Sequence, residues 1–159
     1  MAEVIMICGK ICSGKTTYAR RLCAEHRAVL LSIDEIMLAL FGLYAGERHD
    51  EWAAKTEAYL LEKSAEIAGD GISVVLDWGF WTREKRDATR EFFASRGIGF
   101  QMHFISMGDE KWRSCIERRN RAVQAGRVSA YFVDENLAAK FESRFEMPDR
   151  SEISVWIDA

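Results

Sequence analysis

The sequence holds a single proline, which excludes collagen-like and proline-rich extended chains. It has little cysteine: Cys8, Cys12, Cys23 and Cys115, with no two at CxxC spacing. Neither a zinc ribbon nor a redox dithiol is indicated, and the four read as free thiols of a reducing cytoplasm. No apolar run exceeds the nine residues Ile36–Tyr44, too few to span a bilayer. The opening MAEVIMICGK places no basic segment ahead of its apolar residues, so no signal peptide is expected. Basic excess is missing as well. Lys+Arg is 22 against 25 Asp+Glu, a formal net charge of −3, which argues against a nucleic-acid partner. The three histidines, His26, His49 and His103, lack metal-ligand spacing. G-x-S-x-G, H-E-x-x-H and the dinucleotide glycine fingerprint are absent.

What remains is a globular composition, 48% hydrophobic and 30% charged over 159 residues. A chain of this length buries about two-thirds of its unfolded surface and forms one domain. Five short apolar or β-branched runs stand out: Val4–Cys8, Val29–Ser32, Ser73–Leu76, Phe100–Ile105 and Ile153–Ile157. They read as strands covered on both faces. The fourth is the weakest, because Gln101 and His103 interrupt it. Helical spacing fills the gaps: around Tyr18, Leu22 and Cys23, around Ile36, Leu40 and Leu43, and over Trp52–Ala68, Arg83–Arg96, Trp112–Val123 and Leu137–Phe145. Alternating strands and helices predict an α/β fold with an open, mostly parallel sheet. Ligands of such sheets bind at the carboxyl ends of the strands.

The segment after the first run, Gly9-Lys10-Ile11-Cys12-Ser13-Gly14-Lys15-Thr16, matches G-x-x-x-x-G-K-[ST] in full. Glycines let successive N–H groups turn toward phosphate oxygens, and the helix that follows aims its positive end at the same anion. Gly9, Ile11, Cys12, Ser13, Gly14, Lys15, Thr16 and Thr17 are therefore the candidate nucleotide-binding residues. Lys15 would neutralise the β- and γ-phosphates, and the Thr16 hydroxyl would ligate Mg²⁺. The expected cofactors are ATP, or GTP in its place, and Mg²⁺. Cys12 reads as a small side chain that the loop tolerates.

Two carboxylates follow the next two strands. Asp34 ends LLSID and Asp77 ends SVVLD, so both should lie at the edge that carries the phosphate loop. A phosphotransferase needs a carboxylate to take the acceptor's proton and another to help hold Mg²⁺. Asp34 is also a good helix N-cap, and Asp77 is read both as a metal-site and as an acceptor-site residue. Trp78, Phe80 and Trp81 come next. Three aromatics in four positions are hard to bury together, so Trp78 and Trp81 are candidates for a wall of the acceptor pocket. Tyr44 to Asp50 is a second candidate, with His49 and Asp50 as a loop pair. Lys111–Arg127 holds six basic residues against one acid, Glu117. Arg119 shares a helix face with Trp112, Cys115 and Ile116, so it points inward, where an arginine needs an anion. Arg121 should point to solvent.

Taken together, GKICSGKTTYARRL, LLSIDEIMLALFG, SVVLDWGFWTREKRD and CIERRNRA resemble the small bacterial P-loop kinases of the polynucleotide-kinase, zeta-toxin and chloramphenicol-phosphotransferase type. The resemblance covers nearly the whole chain. It implies a P-loop NTPase sandwich, with a five-stranded parallel sheet in order 2-3-1-4-5 and a lid over about residues 117–135. It implies that Asp34 accepts the proton, that Asp77 helps bind the acceptor, and that Arg119, with Arg118 and Arg127, reaches the phosphates. The polynucleotide kinases have an arginine three residues after the catalytic aspartate, where this chain has Met37. The expected activity is transfer of a γ-phosphoryl group to a hydroxyl of a small molecule. A 5′-hydroxyl polynucleotide kinase and a non-catalytic nucleotide switch are the alternatives.

Overall fold

The computed structural model describes residues 1–159. Its strands are β1 (Glu3–Gly9), β2 (Val29–Leu31), β3 (Val74–Gly79), β4 (Gly99–Ser106) and β5 (Val155–Asp158). Its helices are α1 (Lys15–His26), α2 (Ile33–Phe41), α3 (His49–Gly69), α4 (Arg83–Ala94), α5 (Asp109–Gln124) and α6 (Glu135–Arg144), with a 3-10 turn at Arg150–Glu152. The sheet order is β2-β3-β1-β4-β5, and every pairing is parallel.

Strand alternation sorts the core into two layers. Val4, Met6, Cys8, Val74 and Leu76 face one side, where they meet Ala68 of α3 and Phe93 of α4. Ile5, Ile7 and Val75 face the other, against Ala19 and Leu22 of α1. Burying each of the larger aliphatic or aromatic side chains contributes about 1.5–3 kcal/mol. β1 is buried at every position from Val4 to Gly9, as expected of a central strand covered on both faces.

Gln101 and His103 do not break the fourth strand. His103 is buried but partnered: Tyr18 Oη lies 2.8 Å from its Nδ1 and Gln101 Oε1 lies 3.0 Å from its Nε2. Burial lowers its pKa, which keeps the ring neutral. β3 runs three residues beyond the Ser73–Leu76 reading, so Asp77 lies inside the strand. β5 starts later than its apolar run, because Ile153 closes the 3-10 turn.

Candidate active site

The phosphate loop leaves β1 at Gly9, where a Cβ would lie 3.0 Å from Ser13 Oγ and 3.1 Å from the Ile105 carbonyl oxygen. The chain then turns through Cys12 (φ 60°) and Gly14 (φ 87°), and the Ser13 N–H donates to the Lys10 carbonyl at 3.2 Å. Gly14 caps α1 without a side chain. The first N–H groups of α1 therefore stay free, at the positive end of the helix. Lys15 folds back and donates to the Lys10 carbonyl at 2.5 Å. Burial pushes its pKa down, against the pull of Asp77 and Asp34, so an added anion would be welcome there. The Ser13 hydroxyl is buried and has no partner. Free N–H groups, a desolvated ammonium and an orphaned hydroxyl fit a polyphosphate.

Thr16 donates its hydroxyl hydrogen to Asp77 Oδ2 at 2.7 Å, and Asp77 is buried. A hydroxyl and a carboxylate so joined are hard oxygen donors of the kind Mg²⁺ takes when phosphates supply the rest. No three His, Cys, Asp or Glu side chains cluster tightly enough to hold a metal by themselves.

Asp34 lies in the first turn of α2, but it is not the cap. Ser32 is, its hydroxyl accepting the Glu35 N–H at 3.3 Å. The Asp34 carboxylate is left free. Water reaches it, yet the protein crowded around it raises its pKa, and the Asp77 charge raises it further. Lys15, Arg119 and His49 act on it in the opposite sense.

Arg119 reaches inward from α5, as its helix face predicts. Its Nη1 donates to Cys12 Sγ in the phosphate loop at 3.2 Å, and its buried Nε has no partner. Arg118 and Arg127 sit apart from that contact. They line a surface hollow of about 340 Å³ with Arg121, and Arg118 Nη2 donates to Cys115 Sγ at 3.3 Å. The start of α5 grips the loop from the same side. Trp112 Nε1 donates to the Ile11 carbonyl at 2.7 Å, and Lys10 pairs with Asp109 at 2.6 Å while lying over the Trp112 ring. Thr17 is exposed on α1.

The two tryptophans after β3 part company. Trp78 packs against the α3/α4 side of the sheet, its N–H donating to the Leu31 carbonyl at 3.0 Å and its ring stacked on Phe80. Alternation puts Asp77 on the opposite face. Trp78 is thus half-buried on the face away from Asp77, next to the end of β2. Trp81 folds over Gly79, where a Cβ would lie 2.7 Å from its Nε1 and 3.7 Å from Lys15 Cε. It stands beside the phosphate-binding lysine and meets Phe141 of α6 edge-on. Met37, three residues after Asp34, is buried. It is 1% exposed and accepts a hydrogen bond from Thr56 of α3. The position faces α3 and not the cleft, so the missing arginine there does not bear on the acceptor.

Three groups were not legible in the sequence. Arg86, 1% exposed at its side chain, pairs with Glu152, 4% exposed, at 2.8 Å. It also donates to the carbonyls of Phe80, Trp81 and Glu146, which pins the turn after β3 to the C-terminal segment. Burial works to raise the Glu152 pKa, but hydrogen bonds from Arg86, the Asp149 N–H and Arg90 outweigh it and hold the carboxyl at about 2. Asn120 of α5 clamps Val133 from both sides, accepting its N–H at 2.8 Å and donating to its carbonyl at 2.7 Å. Tyr131, just before that clamp, has a buried hydroxyl with no partner.

Fold and loop together define a P-loop nucleotide-binding domain. The chain belongs to the AAA domain family AAA_33, whose model matches residues 4–148. Among curated proteins, none matches the sequence significantly. Solved structures share the fold at low identity. Kti12 of Chaetomium thermophilum in complex with ADP-AlF3 has a TM-score of 0.72 at 19% identity, over 98% of this chain and 88% of its own. The Mycobacterium tuberculosis APS kinase CysC, in complex with AMPPNP and APS, has 0.65 at 18%, over 99% and 88%. A gluconokinase from Sinorhizobium meliloti 1021 has 0.63 at 20%, over 98% and 82%. No helix is long and apolar enough to cross a membrane.

Proposed function

We propose that the chain 1–159 is one kinase domain, with residues 117–135 as its lid, that transfers the γ-phosphoryl group of ATP to a hydroxyl of a small molecule. The observation that carries this is the free Asp34 carboxylate within the combined field of Lys15, Arg119 and Asp77. The motif resemblance to the polynucleotide-kinase, zeta-toxin and chloramphenicol-phosphotransferase group supports the same roles. The names of the fold neighbours, a gluconokinase and an APS kinase, agree with a small acceptor. Four free cysteines suit the cytoplasm as the place of action.

In this reading the loop amides of Gly9 to Thr17 and the Lys15 ammonium hold the β- and γ-phosphates. Thr16 and Asp77 would hold Mg²⁺, which when bound offsets the charge of the phosphate oxygens. Asp34 accepts the acceptor's hydroxyl proton as its oxygen bonds to the γ-phosphorus. The bond from that phosphorus to the bridging oxygen breaks, and ADP leaves with the electron pair. Arg119 turns from the Cys12 thiol to the transferring group, where charge spreads over three oxygens. Arg118 and Arg127 would join it as the lid closes. Such catalysis is mostly positioning and electrostatics.

The test is phosphoryl transfer from γ-labelled ATP in the presence of Mg²⁺, with a metabolite extract in one arm and 5′-hydroxyl oligonucleotides in the other. Label on a small molecule is expected. Asp34→Asn should bind nucleotide normally and transfer about 10²–10⁴-fold more slowly, the usual worth of a positioned base. Label on the oligonucleotides, or near-normal transfer by Asp34→Asn, would overturn the reading.

A further inference from the structure

We propose that His49 and Tyr131, backed by Tyr44, form the face that binds the acceptor beside Asp34, and that this face selects an uncharged hydroxyl compound. The proposal rests on the kinase reading and adds the chemical class of its substrate.

Tyr131 meets the His49 ring edge-on, with centroids 5.9 Å apart, and His49 in turn stacks on Tyr44 at 5.8 Å. The three come from the segment between α2 and α3, from the first residue of α3, and from the segment between α5 and α6. They are brought together only in the fold. His49 Nδ1 accepts the Ala45 N–H at 3.3 Å, which puts the neutral ring's proton on Nε2, free to donate. The Tyr131 hydroxyl is shut off from water and unpaired. A buried phenol in that condition is unfavourable until a ligand completes it. Both groups lie within electrostatic reach of Asp34: burial raises the Tyr131 pKa and the Asp34 charge adds to it, while His49 acts on Asp34 in turn. The Asn120 clamp on Val133 holds the Tyr131 segment in this place.

The charges decide the class. An acceptor bearing a carboxylate or phosphate needs a cation to hold it, most often an arginine fork. Near Asp34 the strong cations are Lys15 and Arg119, both directed to the phosphate loop. The basic residues around the start of α3 are already engaged. Arg48 donates twice to Glu51 at 2.7 Å and lies over Trp52. Lys55 pairs with the same Glu51, and Lys140 pairs with Asp50 at 3.7 Å. What is left in this region is two neutral donors, one of them buried, with aromatic rings and one carboxylate. That set suits hydroxyl groups on an uncharged body, and it repels an acid.

The test uses the full chain with γ-labelled ATP and Mg²⁺. A metabolite extract is passed at neutral pH over an anion and a cation exchanger to give neutral, acidic and basic fractions. Label is expected to enter the neutral fraction. With the acceptor purified from it, Tyr131→Phe should raise the acceptor KM roughly three- to tenfold, the worth of one neutral hydrogen bond, with kcat changed less. Label entering the acidic or basic fraction, or an unchanged KM in Tyr131→Phe, overturns this proposal and leaves the kinase reading standing. No label in any fraction, from protein that still binds ATP, overturns both.

Discussion

Two clusters of buried polar side chains in this molecule are built on opposite terms. Around Arg86 and Glu152, charge is taken out of water and matched: two nitrogens of the arginine meet the carboxylate, and three carbonyls accept from it. Around the phosphate loop Ser13 Oγ and Arg119 Nε, and toward Asp34 Tyr131 Oη, are buried without partners. The first cluster holds the chain in one shape. The second is a set of unmet demands which phosphate and acceptor can satisfy. The two differ even in how they treat a carboxyl: Glu152 is held far below its usual range and Asp34 is raised above it. Completed networks mark scaffold, and incomplete ones mark the place where something binds. The one exception, Arg90 Nε in the scaffold, belongs to a side chain whose other nitrogens pair with Asp87 and Glu152.

That contrast can be tested by removing one arginine from each cluster. Arg119→Leu should lower kcat/KM about 10³-fold or more, the scale of a phosphoryl-stabilising arginine. It should leave the urea midpoint nearly unchanged, since the group it deletes makes one bond, to the Cys12 thiol, and its buried Nε makes none. Arg86→Leu should do the reverse. It leaves buried Glu152 with Arg90 as its one cation and takes the donor from three carbonyls, and should cost about 3–5 kcal/mol of stability in urea unfolding. If Arg119→Leu unfolds the protein as readily as Arg86→Leu, the division fails.

Acidity sharpens the division further. Glu152 has a folded pKa of about 2 against an ordinary 4.5, so the native state binds its proton less readily than the unfolded chain. Its contribution to stability is complete above pH 4.5 and is lost as the pH falls to about 2. Asp34 carries the opposite sign. Its raised pKa means that ionising it opposes folding. Asp34→Asn, the variant expected to slow transfer, should therefore raise the thermal midpoint at neutral pH. Calorimetry on Asp34→Asn and on Glu152→Gln, from neutral pH down to pH 2, would show the two effects diverging. A smaller effect is expected from Asn120→Ala. Losing the clamp should cost about 1–2 kcal/mol and loosen the Tyr131 segment, seen as faster amide exchange at Val133.

The sequence made much of this legible, for physical reasons that can be named. The phosphate loop is local: eight consecutive residues carry their own backbone geometry. Asp34 and Asp77 could be placed because strand ends in a parallel sheet share one edge, and Arg119 because helical spacing ties it to Trp112 and Cys115. What was missed depends on distance along the chain. Arg86 and Glu152 are 66 residues apart, and nothing near either foretells the pair. Tyr131 lies in an irregular segment with no periodicity to say which way it points. The face that Trp78 takes could not be read because β3 runs past Asp77, which extends the alternation of faces by two residues. Asp34 could not be told from a cap until Ser32 was seen to do that work.

The contact between Trp112 and the Ile11 carbonyl gives the molecule an optical property. Indole emission follows the electric field across the ring. This ring has a phosphate-loop carbonyl at its N–H and the Lys10 ammonium over its face, while its edge borders the interior through Phe141. When loop dipoles and Lys10 readjust around a triphosphate, that field changes and the emission shifts with it. Nucleotide occupancy can then be followed in an unlabelled cuvette sample, and a Trp112→Phe control identifies which of the five tryptophans carries the signal.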